Sequence, residues 1–163
     1  MDKWTKRWAG IPRSATNAVI HLKEGLDIPS ISDMYIEAHN TSHARTRLQG
    51  DVNVNHVIDH TLQREERYSR MQCTTTQAEN MYRETLHLNT LQGEIPTFTG
   101  EKAKQLQYGF NKEIRKQVKN RTRNSAQEKH LEHVKGHQVQ GIFLTIAAEE
   151  KQDILWKSSM FQL

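Results

Sequence analysis

Few residues in this chain can break a helix. Three prolines and eight glycines are spread over 163 residues, a scarcity that favours long helices over many short strands. Hydrophobic residues make up 35 %, aromatics 7 %, and mean hydropathy is −0.83, all low for a globular domain. The charged fraction of 26 % is ordinary, so the chain is not a disordered polyelectrolyte. Its length suits one ordinary domain or two small ones. The single cysteine, Cys73, excludes an internal disulfide framework and a cysteine-based zinc site. No apolar run approaches the roughly 18 residues of a membrane span, and residues 1–10 do not read as a signal peptide. The expectation is a soluble, intracellular, mainly α protein that engages no membrane.

The helices can be placed from their punctuation. Trp4 and Trp8 stand one turn apart on a first helix that Gly10 ends and Pro12 cannot continue. Residues 13–29 look irregular around the apolar stretch Ala18-Val19-Ile20-His21-Leu22. Ser30 is placed to cap a helix with Asp33 in its first turn. Ile31, Met34, Tyr35, Ala38 and Leu48 supply its apolar stripe, and Gly50 closes it. Asp51 caps the next helix, where Val54, Val57, Ile58, Thr61 and Leu62 form an amphipathic pattern. A polar linker at 73–76 precedes a weaker helix over 78–91, carrying Met81, Tyr82, Leu86 and Leu88. Gly93, Pro96 and Gly100 mark the clearest internal boundary. Beyond it Ala103, Leu106, Phe110, Ile114 and Val118 step by three, four, four and four, one narrow seam on a long basic helix. A break is expected over 121–125, and a last amphipathic helix over 139–156.

Charge is unevenly spread. Residues 1–23 sum to +4, residues 24–100 to −5, residues 101–135 to +6 and residues 136–163 to −1. Two basic blocks flanking an acidic middle are the footprint of a phosphate-backbone binder, although a solvated helix face gives the same pattern.

No Gly-rich phosphate loop, nucleophile elbow or zinc-protease helix motif occurs, and no Asp-Asp pair could hold two metal ions. Three histidine groups have helical spacing: His39 with His43, His56 with His60, and His130 with His133 and His137. Imidazoles one turn apart can share a zinc ion. Gly136 interrupts the third group, however, and no cysteine cluster completes a set, so no metal and no cofactor is expected. Trp4 and Trp8 could stack on bases, but a pair at this spacing more often serves as core.

Three spaced pieces take the reading further: Trp8-Ala9-Gly10-Ile11-Pro12-Arg13, Asn17-Ala18-Val19-Ile20-His21, and Gly25-Leu26-Asp27-Ile28-Pro29-Ser30-Ile31. Together they resemble the segment just after the polymerase core in reverse transcriptases of non-LTR, LINE-like retrotransposons. In that family a Trp-containing helix precedes a Leu-Pro pair. A short apolar stretch follows, and a Gly-Gly-Leu-Gly-Ile-Pro turn opens the next thumb helix. Here Ile11 replaces the Leu, Glu24 the first Gly, and Asp27 the Gly after Leu. If those glycines have positive φ, Glu24 or Asp27 must adopt it at a cost, with Asp the easier case. The likeness is close over residues 4–35 and general in character beyond them. The family's catalytic aspartates lie upstream of this segment, and its zinc knuckle and endonuclease often lie downstream. The resemblance therefore implies a truncated fragment that is not a polymerase by itself.

The resulting expectation is a mainly α fold. A thumb-like helical unit spans residues 1–92, a linker 93–100, and a basic region 101–163 holds the long helix and the C-terminal amphipathic one. The inherited function is a non-catalytic, sequence-independent grip on RNA or DNA backbones. Lys3, Lys6, Arg7 and Arg13 contact phosphates beside the matched motif; Lys112, Arg115, Lys116, Lys119, Arg121 and Arg123 form a second strip, from which Arg121 points away. The alternative is a helical protein-interaction module, in which the seam from Leu106 to Val118 and the patch from Ile142 to Trp156 pack on a partner helix. A metal-dependent enzyme built on the histidines is the third and weakest reading.

Overall fold

Some helix starts and stops follow short local signals, others depend on partners distant in sequence, and six helices lie among the described residues. The computed structural model describes residues 2–11, 14–23, 25–68, 74–90 and 97–137. Within them lie α1 (Asp2–Trp8), α2 (Ala18–His21), α3 (Ile31–Gln49), α4 (Val52–Tyr68), α5 (Thr74–Thr90) and α6 (Ala103–Lys135), with no strand among the described residues. The protein is mainly α. None of these helices is long and apolar enough to cross a membrane. The C-terminal amphipathic helix expected over 139–156, with the patch from Ile142 to Trp156, lies outside the described residues.

The chain divides by its contacts into two compact units. One comprises residues 1–31 and 124–163, the other residues 32–123. The boundaries therefore fall at the start of α3 and within α6, rather than at 93–100. The reason is visible in the core of the second unit, where Ala44 and Leu48 of α3 meet Tyr82 and Leu86 of α5 and Ile114 and Val118 of α6. Residues on both sides of the expected linker share this core, with Met81 and Phe110 packed against it.

Several elements match their signals. Gly50 ends α3 with φ +71°, the left-handed turn that glycine adopts at least cost. Asp51 then caps α4, its Oδ1 accepting the N–H groups of Asn53 at 2.9 Å and Val54 at 3.1 Å. The long basic helix also forms, but without the break expected at 121–125. Thr122 explains the continuity: its hydroxyl donates to the Val118 carbonyl at 2.9 Å and accepts from Asn40 Nδ2 at 3.1 Å. The few tenths of a kcal/mol that Asn124 and Ser125 cost a helix are outweighed by this buried anchor. Helix α5 starts at Thr74, inside the stretch expected as linker, because Glu65 of α4 accepts the N–H of Thr76 at 3.0 Å and its hydroxyl at 2.7 Å. A carboxylate from another helix supplies the missing cap.

The apolar stripe expected on α3 is not its buried face. Ile31, Met34 and Tyr35 are exposed, and Ala38 with them. The buried side chains are Asn40, His43, Ala44 and Leu48, at steps of three, one and four, so half of the row through which the helix packs is polar. Hydrogen bonds make this possible. His43 Nε2 donates to Glu79 Oε2 at 2.6 Å, and Arg47 Nε donates to the same oxygen at 2.9 Å. Arg83 Nε holds Oε1 at 2.7 Å, and Arg47 Nη2 reaches Asp59 of α4 at 2.7 Å. Glu79 is only 5 % exposed. On α4, Ile58, Thr61 and Leu62 are half-buried while Val54 and Val57 remain exposed.

Burial alone would raise the Glu79 carboxyl; hydrogen bonds from His43, Arg83 and Arg47 outweigh it and hold the group down at about 2, against an ordinary 4.5. A depressed folded pKa contributes stability that is present above the unfolded value and lost as pH falls toward the folded one. Denaturant midpoints should therefore fall between pH 4.5 and about 2, with Glu79 responsible for roughly 3 kcal/mol of that loss. In Glu79→Gln this acid-dependent component should vanish. The variant should be less stable near neutral pH by about 3–5 kcal/mol, because Arg47 keeps its charge without the carboxylate. An acid profile unchanged by the substitution would contradict the network's role.

Candidate nucleic-acid interface

In the first unit, the chain leaves α1 and turns back, so that the N–H of Ile11 donates to the Lys6 carbonyl at 2.8 Å. Ile11, Ala15 and Ile20 then form a small apolar cluster, with Ala9 and Leu26 against it. One-turn helix α2 buries Ala18, Val19 and Ile20. Residues 25–28 fold back over it. The N–H groups of Gly25 and Asp27 donate to the Leu22 carbonyl at 2.9 and 3.1 Å, and that of Ile28 to Ile20 at 3.0 Å. His21 Nδ1 donates to the Ile28 carbonyl at 2.7 Å. Two residues are dictated by this close fold-back. A Cβ on Gly25 would stand 2.0 Å from the Val19 oxygen, so no side chain fits. Asp27 sits in the left-handed region at φ +51°, at a position where the resembled family carries glycine.

Helix α1 is oriented by an inward lysine. Lys6 is 7 % exposed, and its ammonium donates to the Ala15 carbonyl; it is an internal tie rather than a phosphate contact. Lys3 and Arg7 are exposed. So are Trp4, at 74 %, and Trp8, at 88 %, which overturns the expectation that this pair is core. The hundred-degree turn per residue explains why: with Lys6 inward, positions 4 and 8 each fall about 160° away from it, on the outer side. Arg13 lies outside the described residues.

In the second unit the six cations of the α6 strip separate into two groups. Arg123 donates to both oxygens of Glu37, at 2.6 and 3.1 Å, and Lys119 Nζ lies 3.3 Å from the same carboxylate. Arg121 turns to Glu84 of α5 at 2.8 Å, away from the others as its helical angle requires. Burial raises the Glu37 carboxyl, but hydrogen bonds from Arg123 and Lys119 prevail and hold it below its ordinary value. These three cations are partly neutralised within the fold. Arg115 is half-buried and donates to its own helix, to the Asn111 carbonyl at 3.3 Å. Lys112 and Lys116 are exposed, and among the described residues neither forms an ion pair.

The structure adds a residue to this face. Lys104 is exposed in the first turn of α6, and Tyr108, 65 % exposed, stands between it and Lys112. Lys104, Tyr108, Lys112 and Lys116 recur every four residues, one ridge of the helix surface. The spacing was legible in the sequence; the seam of apolar residues on the opposite side drew attention away from it.

Elsewhere the charges do not suit a phosphate backbone. An open groove between α4 and α5 is lined by Asp59, Glu66, Glu79 and Arg83, among others, and its excess of carboxylates would repel one. Some of the histidines are engaged within the fold, among them His43 on Glu79, and His21 against His130 with ring centroids 5.2 Å apart. Among the described residues, no group of three or more His, Cys, Asp or Glu side chains is placed to hold a metal ion. Comparison with protein-family models, with curated protein sequences and with solved structures gives no match.

The fold-back turn over α2 should respond sharply to substitution. Gly25→Ala should cost about 2 kcal/mol or more, because the new Cβ meets backbone that cannot yield. Asp27→Gly should be neutral to stabilising by up to about 1 kcal/mol, and Asp27→Val destabilising by about 1–2 kcal/mol. Thermal unfolding followed together with amide exchange at Ile28 measures all three. Equal tolerance of valine and glycine at position 27 would contradict the left-handed turn.

Proposed function

We propose that the chain binds RNA or DNA backbones without sequence preference and without catalysis of its own. The observation that carries this reading is the row Lys104, Lys112 and Lys116 on the outward side of α6, cations that no carboxylate of the described residues neutralises. Cations so placed position a phosphodiester backbone and read no bases. The resemblance of residues 4–35 to the post-polymerase segment of non-LTR reverse transcriptases supports the same reading. So does the packing of the matched pieces around one cluster, with Asp27 in the conformation that the replaced glycine would favour.

The interaction-module alternative loses its first surface, because Ile114 and Val118 are fully buried in the chain's own core. What favours it now is α4, where Val54 and Val57 are 40 % and 63 % exposed.

Salt dependence separates the two. With Glu37 engaging Lys119 and Arg123, and Glu84 engaging Arg121, about three contacts remain available on α6. Log affinity should fall with log salt at a slope near −2 on single strands and near −3 on duplex, at about −0.7 and −0.9 per contact. Replacing Lys104, Lys112 and Lys116 by Gln should flatten that slope by about two to three units, and replacing Lys129 and Lys135, off the row, far less. Glu37→Gln should steepen it by about one unit by releasing a neutralised cation. Salt-independent or absent binding would sink the reading and leave the α4 surface as the better candidate. With no Asp-Asp pair in its sequence, the purified chain is expected to show no primer extension with Mg²⁺ or Mn²⁺. Extension above background would overturn the non-catalytic assignment.

A further inference from the structure

Two large indoles left in water on one short helix are the least explained feature of the molecule. Trp4 and Trp8 are 74 % and 88 % exposed, although side chains of this size are the strongest contributors to burial that a protein possesses. Two exposed cations, Lys3 and Arg7, stand on the same helix. Helical angles place Lys3 and Arg7 some 40° apart in one strip and Trp4 and Trp8 some 40° apart in a parallel one, about 100° around the helix. The inward arc is occupied by Lys6, with Thr5 and Ala9 half-buried beside it, so the helix has no freedom to exchange the faces.

We infer that the α1 face formed by Trp4, Trp8, Lys3 and Arg7 is a stacking platform for single-stranded nucleic acid, the indoles taking bases while the two cations track the phosphates. This rests on the backbone-binding reading above and adds to it a preference for unpaired strands. The geometry suits the ligand. Residues four apart are separated by about 6 Å along a helix, close to two stacking steps of about 3.4 Å, so one base fits between the two rings. Bases in a duplex are already stacked and paired and cannot reach such rings without being extruded. Charge complementarity argues for a polyanion over a neutral partner. A lipid surface is less well served, because the outer arc offers no Leu, Ile, Val or Phe to follow the indoles into the acyl region.

The test uses the full chain, an oligouridylate of about twenty nucleotides, long enough to span several stacking positions, and a DNA duplex of equal length. In the W4A/W8A double variant, affinity for the oligouridylate should fall about tenfold or more while duplex affinity stays within about twofold. The W4F/W8F double variant should retain part of the preference, since phenyl rings still stack. Circular dichroism should be unchanged, as neither indole is part of the core. In a W156F background, Trp4 and Trp8 are the sole indoles, and their emission should be quenched by oligouridylate and not by phosphatidylcholine–phosphatidylserine vesicles. A wild type that binds both nucleic acids alike, with W4A/W8A unchanged, would overturn the platform and leave backbone binding standing. Quenching by vesicles in place of RNA would overturn it in favour of a membrane contact. Failure to bind either nucleic acid would remove both readings together.

Discussion

The second compact unit depends on one buried carboxylate. Glu79 takes a hydrogen bond from His43 and ion pairs from Arg47 and Arg83, and Arg47 extends the network to Asp59. Side chains of α3, α4 and α5 are thereby fixed to a single group. Among the described residues, the main core cluster here has six buried apolar side chains, two of them an alanine and a tyrosine. Area burial alone is thin for such a core. The ionic network does not replace that burial energetically, since desolvating charged groups costs several kcal/mol each. What it supplies is an alignment: once Glu79 is inside, every arrangement that leaves it or Arg47 unpaired is heavily penalised. The helices are held in register by that penalty.

This also explains how much of the fold could be read from the sequence. Some local signals are legible: Gly50 as a terminator, Asp51 as a cap, and, of the seam from Ala103 to Val118, Ile114 and Val118 as buried residues, whereas Leu106 is exposed. Asp27, too, adopts the left-handed conformation. The failures share one cause. Periodicity locates apolar stripes, and on α3 the stripe Ile31, Met34, Tyr35 faces solvent, while the packed row carries Asn40, His43 and Arg47. A buried polar row has no hydropathy signature; its meaning lies in partners 32 to 82 positions away in sequence. Likewise, Thr74 begins a helix because Glu65 caps it, and Thr122 continues one because Asn40 anchors it. Neither fact can be seen in a local window.

The candidate interface was legible to a similar degree. Counting charges over residues 101–135 located the basic helix correctly and overstated its free charge. The ion pairs of Lys119, Arg121 and Arg123 join residues 37 to 86 positions apart in sequence, so nothing near them in the chain announces the pairing. At α1 the error ran the other way. Lys6, expected as a phosphate contact, is an internal tie, whereas the tryptophans, a pair whose spacing more often marks core, are on the surface. A single inward residue on a seven-residue helix fixes the orientation of all the others.

The paired cations are not equally withdrawn from function. Arg47 and Glu79 have side chains 11 % and 6 % exposed, and separating them would strand a charge in the interior. Arg123, at 58 %, and Lys119, at 44 %, face Glu37 at the surface, where an ion pair contributes only about 0–1 kcal/mol. A phosphodiester oxygen offers the guanidinium a comparable bidentate partner. Exchange of Glu37 for phosphate is therefore nearly isoenergetic, limited mainly by repulsion between the released carboxylate and the incoming backbone. On the backbone-binding proposal, Glu37 would act as a built-in competitor for Lys119 and Arg123, lowering affinity for isolated phosphates more than for a polyanion that Lys112 and Lys116 would also engage. In this unit the buried pairs on Glu79 set the architecture, and the exposed pairs of α6 would set how strongly an incoming backbone must compete.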